Sequence, residues 1–300
     1  MSQKKKRDEA VADALATMAR NRGSGREFLR RMLRNKIGLV GTFIVFVLIV
    51  LCAGAPLFTN WDPYAQAVID KFIMPNSEHI MGTDDFGRDI WARLLYGGRY
   101  SLLIALGSAV ISTVAGLILG SCAGYFGGKT DLIITRFLDI LQAIPSLLLA
   151  IAISSALGSG PFNTMLAIAI GNIAGGARIM RSTVLSIRDN EFVEAARATG
   201  SRDARIIFVH ILPNTIAPLA INASMGIGGS IGAISGLSFI GLGVQAPTPE
   251  WGSILAVGKT YIRDFWPLVL FPSLFIALTI FGFNLFGDAL RDALDPKLKD

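Results

Sequence analysis

Few side chains in this sequence have the type and spacing that catalysis or metal binding requires. The chain contains two histidines, His79 and His210. Only His79 has acidic neighbours that could join it around a cation, namely Asp84, Asp85 and Asp89. Acidic residues just before a helix also serve to cap its first turn, and the topology derived below places the two histidines on opposite sides of a membrane. The sequence therefore predicts neither a metal site nor a Ser-His-Asp or Cys-His catalytic set.

A glycine-rich stretch, residues 123–130, ends like a nucleotide-binding loop. That loop needs a glycine five residues before the glycine of Gly-Lys-Thr, and this position is Ala123. The loop also needs a preceding strand and a following helix in a soluble βαβ unit, whereas an apolar run precedes this stretch. We therefore expect no nucleotide site and no bound cofactor on this chain.

The most informative polar stretch is residues 188–212, which predicts a short helix, a stop and a second helix. Asp189 or Asn190 can cap the first helix. Gly200 suits the left-handed residue that ends a helix, and Ser201 can cap the next one. Because the stretch lies between two long apolar runs, we expect it to project from one membrane face.

Within the first of these helices, Ala195 and Ala196 have little bulk, so another protein surface could approach the backbone closely. Glu194 offers one anchoring charge beside them. The residues alone leave two interpretations open, a docking element for a partner protein and a solvated helical hairpin without one.

The elements that must position this stretch are membrane helices. Hydrophobic residues make up 52% of the 300-residue chain, and charged residues only 17%, against about 25% in a typical soluble domain. The charges are clustered and the apolar residues form long runs, which is typical of integral membrane proteins.

Six apolar runs are long enough to cross a hydrocarbon core about 30 Å thick. They are residues 37–58, 100–124, 132–157, 162–187, 213–243 and 265–288. Pro145 lies within the third run, and Pro213 and Pro218 lie near the start of the fifth, so these helices should kink or end there. The predicted fold is all-α, a polytopic membrane protein with six transmembrane helices.

The basic residues predict the orientation. Eleven of the 28 Lys and Arg precede the first run, within residues 1–36. With this end in the cytosol, 22 of the 28 lie on inner segments and six on outer segments, as the positive-inside rule requires. Both termini should then be cytosolic. The net charge of +6 fits a tail beside anionic lipid rather than a nucleic-acid groove.

Glycines recur every four residues from Gly116 to Gly128 in the second run, and again at Gly228, Gly232 and Gly236 in the fifth. Such strips let another helix approach closely. Packing within the chain explains both. For the fifth run, a sliding or gating interface is the alternative.

Before the second run, Ile90, Trp91, Leu94 and Leu95 fall on one side of a helix. We expect this helix to lie along the membrane interface or against a partner. The alternative is ordinary packing over the outer ends of the other helices.

The order Glu-Ala-Ala, Gly and Leu-Pro across residues 194–213 resembles the coupling loop of binding-protein-dependent ABC importer permeases. The family's general pattern prefers isoleucine where this chain has His210, and the run from His210 to Asn214 resembles the peptide-permease branch in particular. The resemblance implies docking of an ATPase by Glu194, Ala195, Ala196, Gly200, Leu212 and Pro213.

Three further stretches resemble the same branch, the dipeptide/oligopeptide/nickel permease family. They are residues 79–89, residues 237–252 and residues 283–296. The first resembles that family's first external loop, the second its fifth-span exit and the third its C-terminal tail. We expect the external loop and residues 247–264 to form the landing surface of a substrate-binding protein. The candidate contact residues are Asp84, Asp85, Arg88 and Trp251.

The resemblance implies a type I ABC importer permease in the cytoplasmic (inner) membrane. Its expected partners are a second, homologous permease, two ATPase subunits that hold Mg-ATP, and an extracytoplasmic substrate-binding protein. The chain itself is expected to be non-catalytic. The expected divisions are a basic cytosolic tail (1–36), the first helix and external loop (37–99), the type-1 transmembrane domain with its 188–212 coupling loop (100–290) and a cytosolic C-terminal tail (291–300).

The resemblance favours di- or oligopeptides as substrates and leaves nickel chelates and glutathione open. A secondary transporter is the alternative from another class, and it would need ionisable residues deep within several spans. Asp139 is the best candidate for such a residue, and Arg136 lies close enough in sequence to pair with it.

Overall fold

The computed structural model describes residues 30–32 and 34–294, and every regular element from residue 36 to residue 294 is a helix. They are α1 (Lys36–Ala53), α2 (Ala55–Phe58), α3 (Ile90–Phe126), α4 (Gly128–Ala143), α5 (Ser146–Leu157), α6 (Pro161–Ile187), α7 (Glu191–Ala198), α8 (Asp203–Arg205), α9 (Leu212–Phe239), α10 (Trp251–Gly258) and α11 (Pro267–Leu294). A π-helical segment, Ile206–Ile211, joins α8 to α9. The all-α prediction is confirmed for this part of the chain. The predicted tails lie mostly (1–36) or partly (291–300) outside the described residues.

Within the described residues, four helical stretches are long and apolar enough to span a membrane: Lys36–Ala53, Ile90–Phe126, Asp203–Phe239 and Pro267–Leu294. The pair α4 and α5 adds a fifth if it forms one bent span. Helix α6 is 27 residues long, but Asn163, Asn172 and several glycines lower its apolar character. The membrane prediction is confirmed, and the count of six spans stays a prediction.

The bend between α4 and α5 measures 86° and occurs at the predicted proline. Pro145 directly precedes α5. The preceding residue, Ile144, has an extended backbone conformation, with φ −99° and ψ 127°. A residue before a proline rarely adopts the helical conformation, because the proline ring clashes with its backbone. The predicted break at Pro145 is therefore confirmed.

The second span begins earlier than predicted, because α3 is helical from Ile90 onward. The Asp89 carboxylate starts it by accepting a hydrogen bond from the Ala92 nitrogen, at 2.7 Å. Ile90, Leu94 and Leu95 are fully buried within this chain. The prediction of a helix lying along the membrane interface or against a partner is therefore wrong, and packing over the outer helix ends is confirmed.

The first glycine strip packs α3 against α6. A Cβ on Gly116 would lie 3.0 Å from the Ala177 nitrogen, and one on Gly124 would lie 2.8 Å from the Val184 Cβ. Side chains there would force the two helices apart, so the packing interpretation is confirmed for this strip. The strip in α9 is mixed: a Cβ on Gly228 would lie 3.3 Å from the Ile280 carbonyl oxygen of α11, whereas one on Gly236 would meet nothing within 4 Å.

Candidate functional site

The 188–212 segment folds as a short helix, a stop and a second helix, as predicted. Gly200 has φ +76°, a conformation that glycine adopts without steric cost, so the predicted left-handed stop is confirmed. Asn190 is the N-cap residue of α7, as one of the two predicted candidates, but its side chain makes no capping hydrogen bond. The prediction for the second helix is wrong, because Arg202 rather than Ser201 is the N-cap of α8.

Helix α7 has one buried and one exposed side. Val193 and Ala196 are buried in an apolar cluster whose other members are Tyr125, Met180, Val184, Ile206, Ile207 and Ile211. Phe192, Glu194 and Ala195 are exposed. The expectation that both alanines face a partner therefore needs correction. Ala195 is available for contact, whereas Ala196 packs inside this chain.

Polar contacts also hold the segment against the ends of α3. The Tyr125 hydroxyl donates a hydrogen bond to the Asp203 carboxylate, at 2.7 Å. The Arg197 guanidinium lies 5.2 Å from the centre of the Tyr125 ring, within cation–π range. Arg188 donates to the Gly124 carbonyl at 3.0 Å. No local pattern predicts these contacts, because the partners are far apart along the chain.

The second half of the segment continues into a membrane helix. Leu212 is half-buried beside the apolar cluster, whereas Pro213 is exposed in the first turn of α9. The π-helical segment Ile206–Ile211 was not predicted. It makes residues 203–239 one long helical stretch, so α8 continues into α9 without a break.

Ion pairs join α4 to α6 near the same end of the molecule. Arg181 donates two hydrogen bonds to the Asp131 carboxylate, at 2.5 and 2.6 Å. Asp139 lies 2.6 Å from Arg178 and 3.6 Å from Arg136. Asp139 is thus engaged in two ion pairs, which disfavours its use as an ion-coupling site.

The loop between α2 and α3, residues 59–89, is built around a buried carboxylate. The Asp84 carboxylate lies 2.7 Å from Arg88 Nε and 3.3 Å from Arg93 Nε. It also accepts hydrogen bonds from the backbone nitrogens of Phe86 and Arg88. Asp84 and Arg88 are only 2% and 3% exposed. Their burial excludes the predicted surface contact for both side chains in this conformation.

Asp85 is the acidic residue of this motif that remains partly exposed. Its carboxylate lies 3.4 Å from Arg88 Nη2. Partial burial is the main cause that raises the pKa of the Asp85 carboxyl above its ordinary value, and the neighbouring Asp84 charge is the second. Among the predicted contact residues, Asp85 alone has a side chain that a partner could reach.

His79 and Asp89 form a structural pair in the same loop. The imidazole Nδ1 lies 2.9 Å from one Asp89 oxygen, while the other oxygen caps α3. The His79 ring also stacks at 4.6 Å on Trp61. The predicted capping role is therefore confirmed for Asp89, whereas Asp84 and Asp85 pair with arginine.

Glu250 and Trp251 stabilise the connection between α9 and α10 through burial and hydrogen bonds. Trp251 is fully buried, and its indole nitrogen donates to the Leu94 carbonyl at 2.8 Å, so its predicted contact with a partner is also excluded in this conformation. The Glu250 carboxylate caps α10 through the Ser253 nitrogen and accepts from the Ser101 hydroxyl, at 3.0 and 2.9 Å. Burial raises the pKa of the Glu250 carboxyl.

A polar cavity of about 360 Å³ lies between α3, α6 and α9, with α5 contributing one residue. We call it the α3–α6–α9 cavity. Its polar side chains are Ser112, Thr113, Ser146, Asn172, Asn222 and Ser230. No sequence pattern predicts this cavity, because its residues come from four helices and none belongs to a motif.

Two family models match the chain. Residues 112–300 match the binding-protein-dependent transport system inner membrane component, and residues 24–75 match the N-terminal TM domain of oligopeptide transport permease C. A dipeptide transport system permease protein, DppC of Alkalihalophilus pseudofirmus, is 44% identical over 91% of this chain and 90% of its own length. A glutathione transport system permease protein, GsiD of Pectobacterium atrosepticum, is 41% identical over 91% of each chain.

Among solved structures, the MetNI methionine ABC transporter in an inward facing conformation aligns with a TM-score of 0.55. The alignment covers 68% of this chain and 97% of the other, at 18% identity, so this likeness concerns the fold alone. The fold is that of a type I ABC importer permease, embedded in the membrane through several helices. On the extent of the family match and the identity to full-length relatives, this chain belongs to the binding-protein-dependent transport system inner membrane components.

Proposed function

We propose that this chain is the permease subunit of an ABC importer that moves di- or oligopeptides across the cytoplasmic membrane. The observation that carries the proposal is the construction of the 188–212 segment. Helix α7 exposes Glu194 and Ala195 while Val193 and Ala196 fix it to the ends of the long helices. A rigid element that projects from a membrane bundle is suited to transmit a partner's motion. Similarity to a dipeptide permease supports the substrate class.

In this proposal the chain crosses the membrane six times, with α4 and α5 forming one bent span and α6 another. Both termini are cytosolic, as the 22 to six distribution of basic residues favours. Residues 1–36 and 291–300 are cytosolic tails, residues 37–99 hold the first span and an external loop, and residues 100–290 form the transmembrane domain.

The proposed assembly contains a second, homologous permease, two ATPase subunits and an extracytoplasmic binding protein. The chain binds no cofactor, and Mg-ATP is held and hydrolysed by the ATPase subunits. Closure of the ATPases moves α7, and the continuous stretch 203–239 conveys this motion to α9. Alternating access follows if one position of these helices opens the transport pathway to the outside and the other opens it to the cytosol.

The ATPase docks on the exposed part of the 188–212 segment. Glu194 and Ala195 contact it directly, and Pro213 lies at the edge of the same surface. Ala196, Gly200 and Leu212 act indirectly, by packing α7 and fixing the turn that follows it. On the opposite side, Asp85 and the exposed parts of residues 247–264 receive the binding protein.

Glutathione is the second candidate substrate, because a glutathione permease is nearly as similar to this chain as the dipeptide permease. Nickel chelates were the other alternative within the same architecture, and no observation favours them.

The test is transport by the complete complex in proteoliposomes. The chain is reconstituted with its partner permease, ATPases and binding protein, and uptake of labelled dipeptides, tripeptides, glutathione and a nickel chelate is compared with and without ATP. We expect ATP-dependent uptake of unmodified peptides. Uptake of glutathione but of no other peptide would show that glutathione, rather than di- or oligopeptides, is the substrate. Uptake that needs no ATPase subunits and is driven by an ion gradient would overturn the importer assignment.

A further inference from the structure

The lining of the α3–α6–α9 cavity is polar but uncharged. Asn172 and Asn222 contribute carboxamides, and four residues contribute hydroxyls. None of the lining residues, all within the described part of the chain, is charged or aromatic. Carboxamides and hydroxyls both donate and accept hydrogen bonds, as the N–H and C=O groups of a peptide main chain do. The lining therefore matches peptide groups and lacks the charges that would select an ionised ligand.

Several of these polar groups have no partner within the described part of the chain. Ser230 is 1% exposed, and its hydroxyl is buried without a hydrogen bond. Asn172 and Asn222 are half-buried, and their side chains have no hydrogen-bond partner among residues 30–32 and 34–294. A buried hydroxyl without a partner is unfavourable, and the two carboxamides are free to bond to groups that enter the cavity from outside the chain.

Glycines keep the cavity open. A Cβ on Gly175, Gly226 or Gly229 would meet nothing within 4 Å. These glycines therefore differ from those that pack α3 on α6, where a side chain would clash. They leave room for side chains of different sizes beside a bound main chain, and the volume of about 360 Å³ lies in the range of small-molecule sites.

We propose that the α3–α6–α9 cavity binds the main chain of a peptide in transit, through hydrogen bonds from Asn172, Asn222 and Ser230 to its peptide groups. The open glycines accommodate the substrate's side chains without selecting among them. This inference rests on the proposed function and adds a site and a recognition chemistry to it. Metal chelates fit the site poorly, because none of its lining side chains is a carboxylate, an imidazole or a thiolate.

The first test measures main-chain recognition in the complete reconstituted complex. Uptake of Ala-Ala-Ala is compared with that of the same tripeptide N-methylated at its central residue, and with Ala-Lys-Ala and Ala-Glu-Ala. The binding protein is saturated with each peptide beforehand. The comparison is made for wild type and for Asn172→Leu and Asn222→Leu, which keep side-chain size and remove the amide.

In wild type we expect the N-methylated peptide to be transported more slowly. Each variant should slow all three unmodified peptides by a similar factor, roughly three- to tenfold for one lost hydrogen bond. The ratio between unmodified and N-methylated uptake should fall towards one. Any preference of the binding protein for one peptide affects wild type and variant equally, so it does not change the comparison between their uptake ratios.

Three results would each overturn the cavity proposal and leave the importer assignment intact. The ratio of unmodified to N-methylated uptake could be unchanged in both variants, or wild type could transport the two peptides equally fast. The variants could also slow only the peptides whose side chain carries one sign of charge. If wild type transports no peptide at all, the proposed peptide function fails together with it. Membrane abundance and ATPase co-purification of each variant verify that the complex has assembled.

A second variant pair tests the space in the cavity. Gly229→Leu places a bulky side chain in the cavity, and Gly229→Ala is the matched control, because it adds only a Cβ that would meet nothing within 4 Å. We expect Gly229→Leu to reduce peptide uptake to the level seen without ATP, and Gly229→Ala to retain uptake. Equal uptake by the two variants would contradict a passage through this cavity.

Discussion

The 188–212 segment and the 59–89 loop place their charged side chains in opposite environments. In the segment, Glu194 is exposed beside Ala195. In the loop, Asp84 and Arg88 are buried and hold each other at 2.7 Å. Both regions contain a stretch that resembles the same permease family, so a recognisable motif does not by itself indicate a binding surface. The motif of the segment presents residues outward, whereas that of the loop fixes the outer ends of the helices.

Removal of Asp84 should have the largest effect and tests the structural role of the loop. Asp84→Ala leaves Arg88 and Arg93 buried without their main counter-charge. Breaking a buried pair costs about 3–5 kcal/mol of stability. We expect low abundance in the membrane and a large drop in the thermal unfolding temperature of the purified protein.

The neighbouring Asp85→Ala is the matched control, because its side chain is 17% exposed and 3.4 Å from Arg88. It should unfold close to the wild-type temperature while weakening association with the binding protein. If the two variants lose equal stability, the distinction between buried and accessible acidic residues in this loop is wrong.

A pair of adjacent alanines tests the segment in the same way. Ala196→Leu inserts a larger side chain into the cluster around Val193 and Ile206, which should cost about 1–3 kcal/mol. Ala195→Leu adds bulk on the exposed side of α7. We expect Ala196→Leu to lower thermal stability and abundance, and Ala195→Leu to remain abundant and stable while uptake and ATPase association fall sharply.

Membrane abundance, ATPase co-purification and uptake are measured together for both variants. Normal uptake with normal ATPase association in Ala195→Leu would mean that α7 is not the docking element. An Ala196→Leu variant as stable as wild type would mean that Ala196 is not packed in the cluster.

Much of this architecture could be predicted from local sequence. The apolar runs indicate helices of membrane-spanning length, Pro145 marks the break after α4, and Gly200 marks the left-handed stop. Each of these signals acts through the residue's own backbone or its immediate neighbours.

Long-range burial was not predictable in the same way. Charged residues are normally exposed, but Asp84 is buried beside Arg93 of α3, and Arg93 itself donates a hydrogen bond to the distant Pro63 carbonyl. Asn172 and Asn222 are likewise unremarkable in sequence, and only the packing of α6 beside α9 brings both to one cavity. The sequence contains the residues of these sites but no short-range pattern that joins them.

The pH dependence of stability tests whether the Glu250 carboxyl, in the connection between α9 and α10, is buried. Because burial raises the pKa of its carboxyl in the folded protein, the folded state binds the proton more tightly than the unfolded state. The stabilisation is complete below the ordinary pKa of 4.5 and is lost as pH rises through the raised pKa. Glu250→Gln removes this titration, and its amide oxygen can still accept from the Ser253 nitrogen while its NH2 group donates to the Ser101 hydroxyl.

Thermal unfolding of purified wild type and Glu250→Gln is therefore compared from pH 4.5 to neutral pH. The unfolding temperature of wild type, relative to the variant, should fall as the pH rises. Parallel curves would indicate that the Glu250 carboxyl is hydrated and titrates as it does in the unfolded chain.

The smallest effect is expected from Glu194→Ala, on the exposed side of α7. A charge pair at a partly exposed rim contributes only about 0–1 kcal/mol, and Glu194 makes no ion pair with another described residue. Its removal should leave stability and abundance unchanged, lower ATPase association by no more than about fivefold, and reduce uptake less than Ala195→Leu does. Since an exposed pair is screened by salt, the deficit should shrink as ionic strength rises. A loss of stability comparable to that of Asp84→Ala would show that the 188–212 segment also depends on its charges for folding, and the contrast between the two regions would no longer hold.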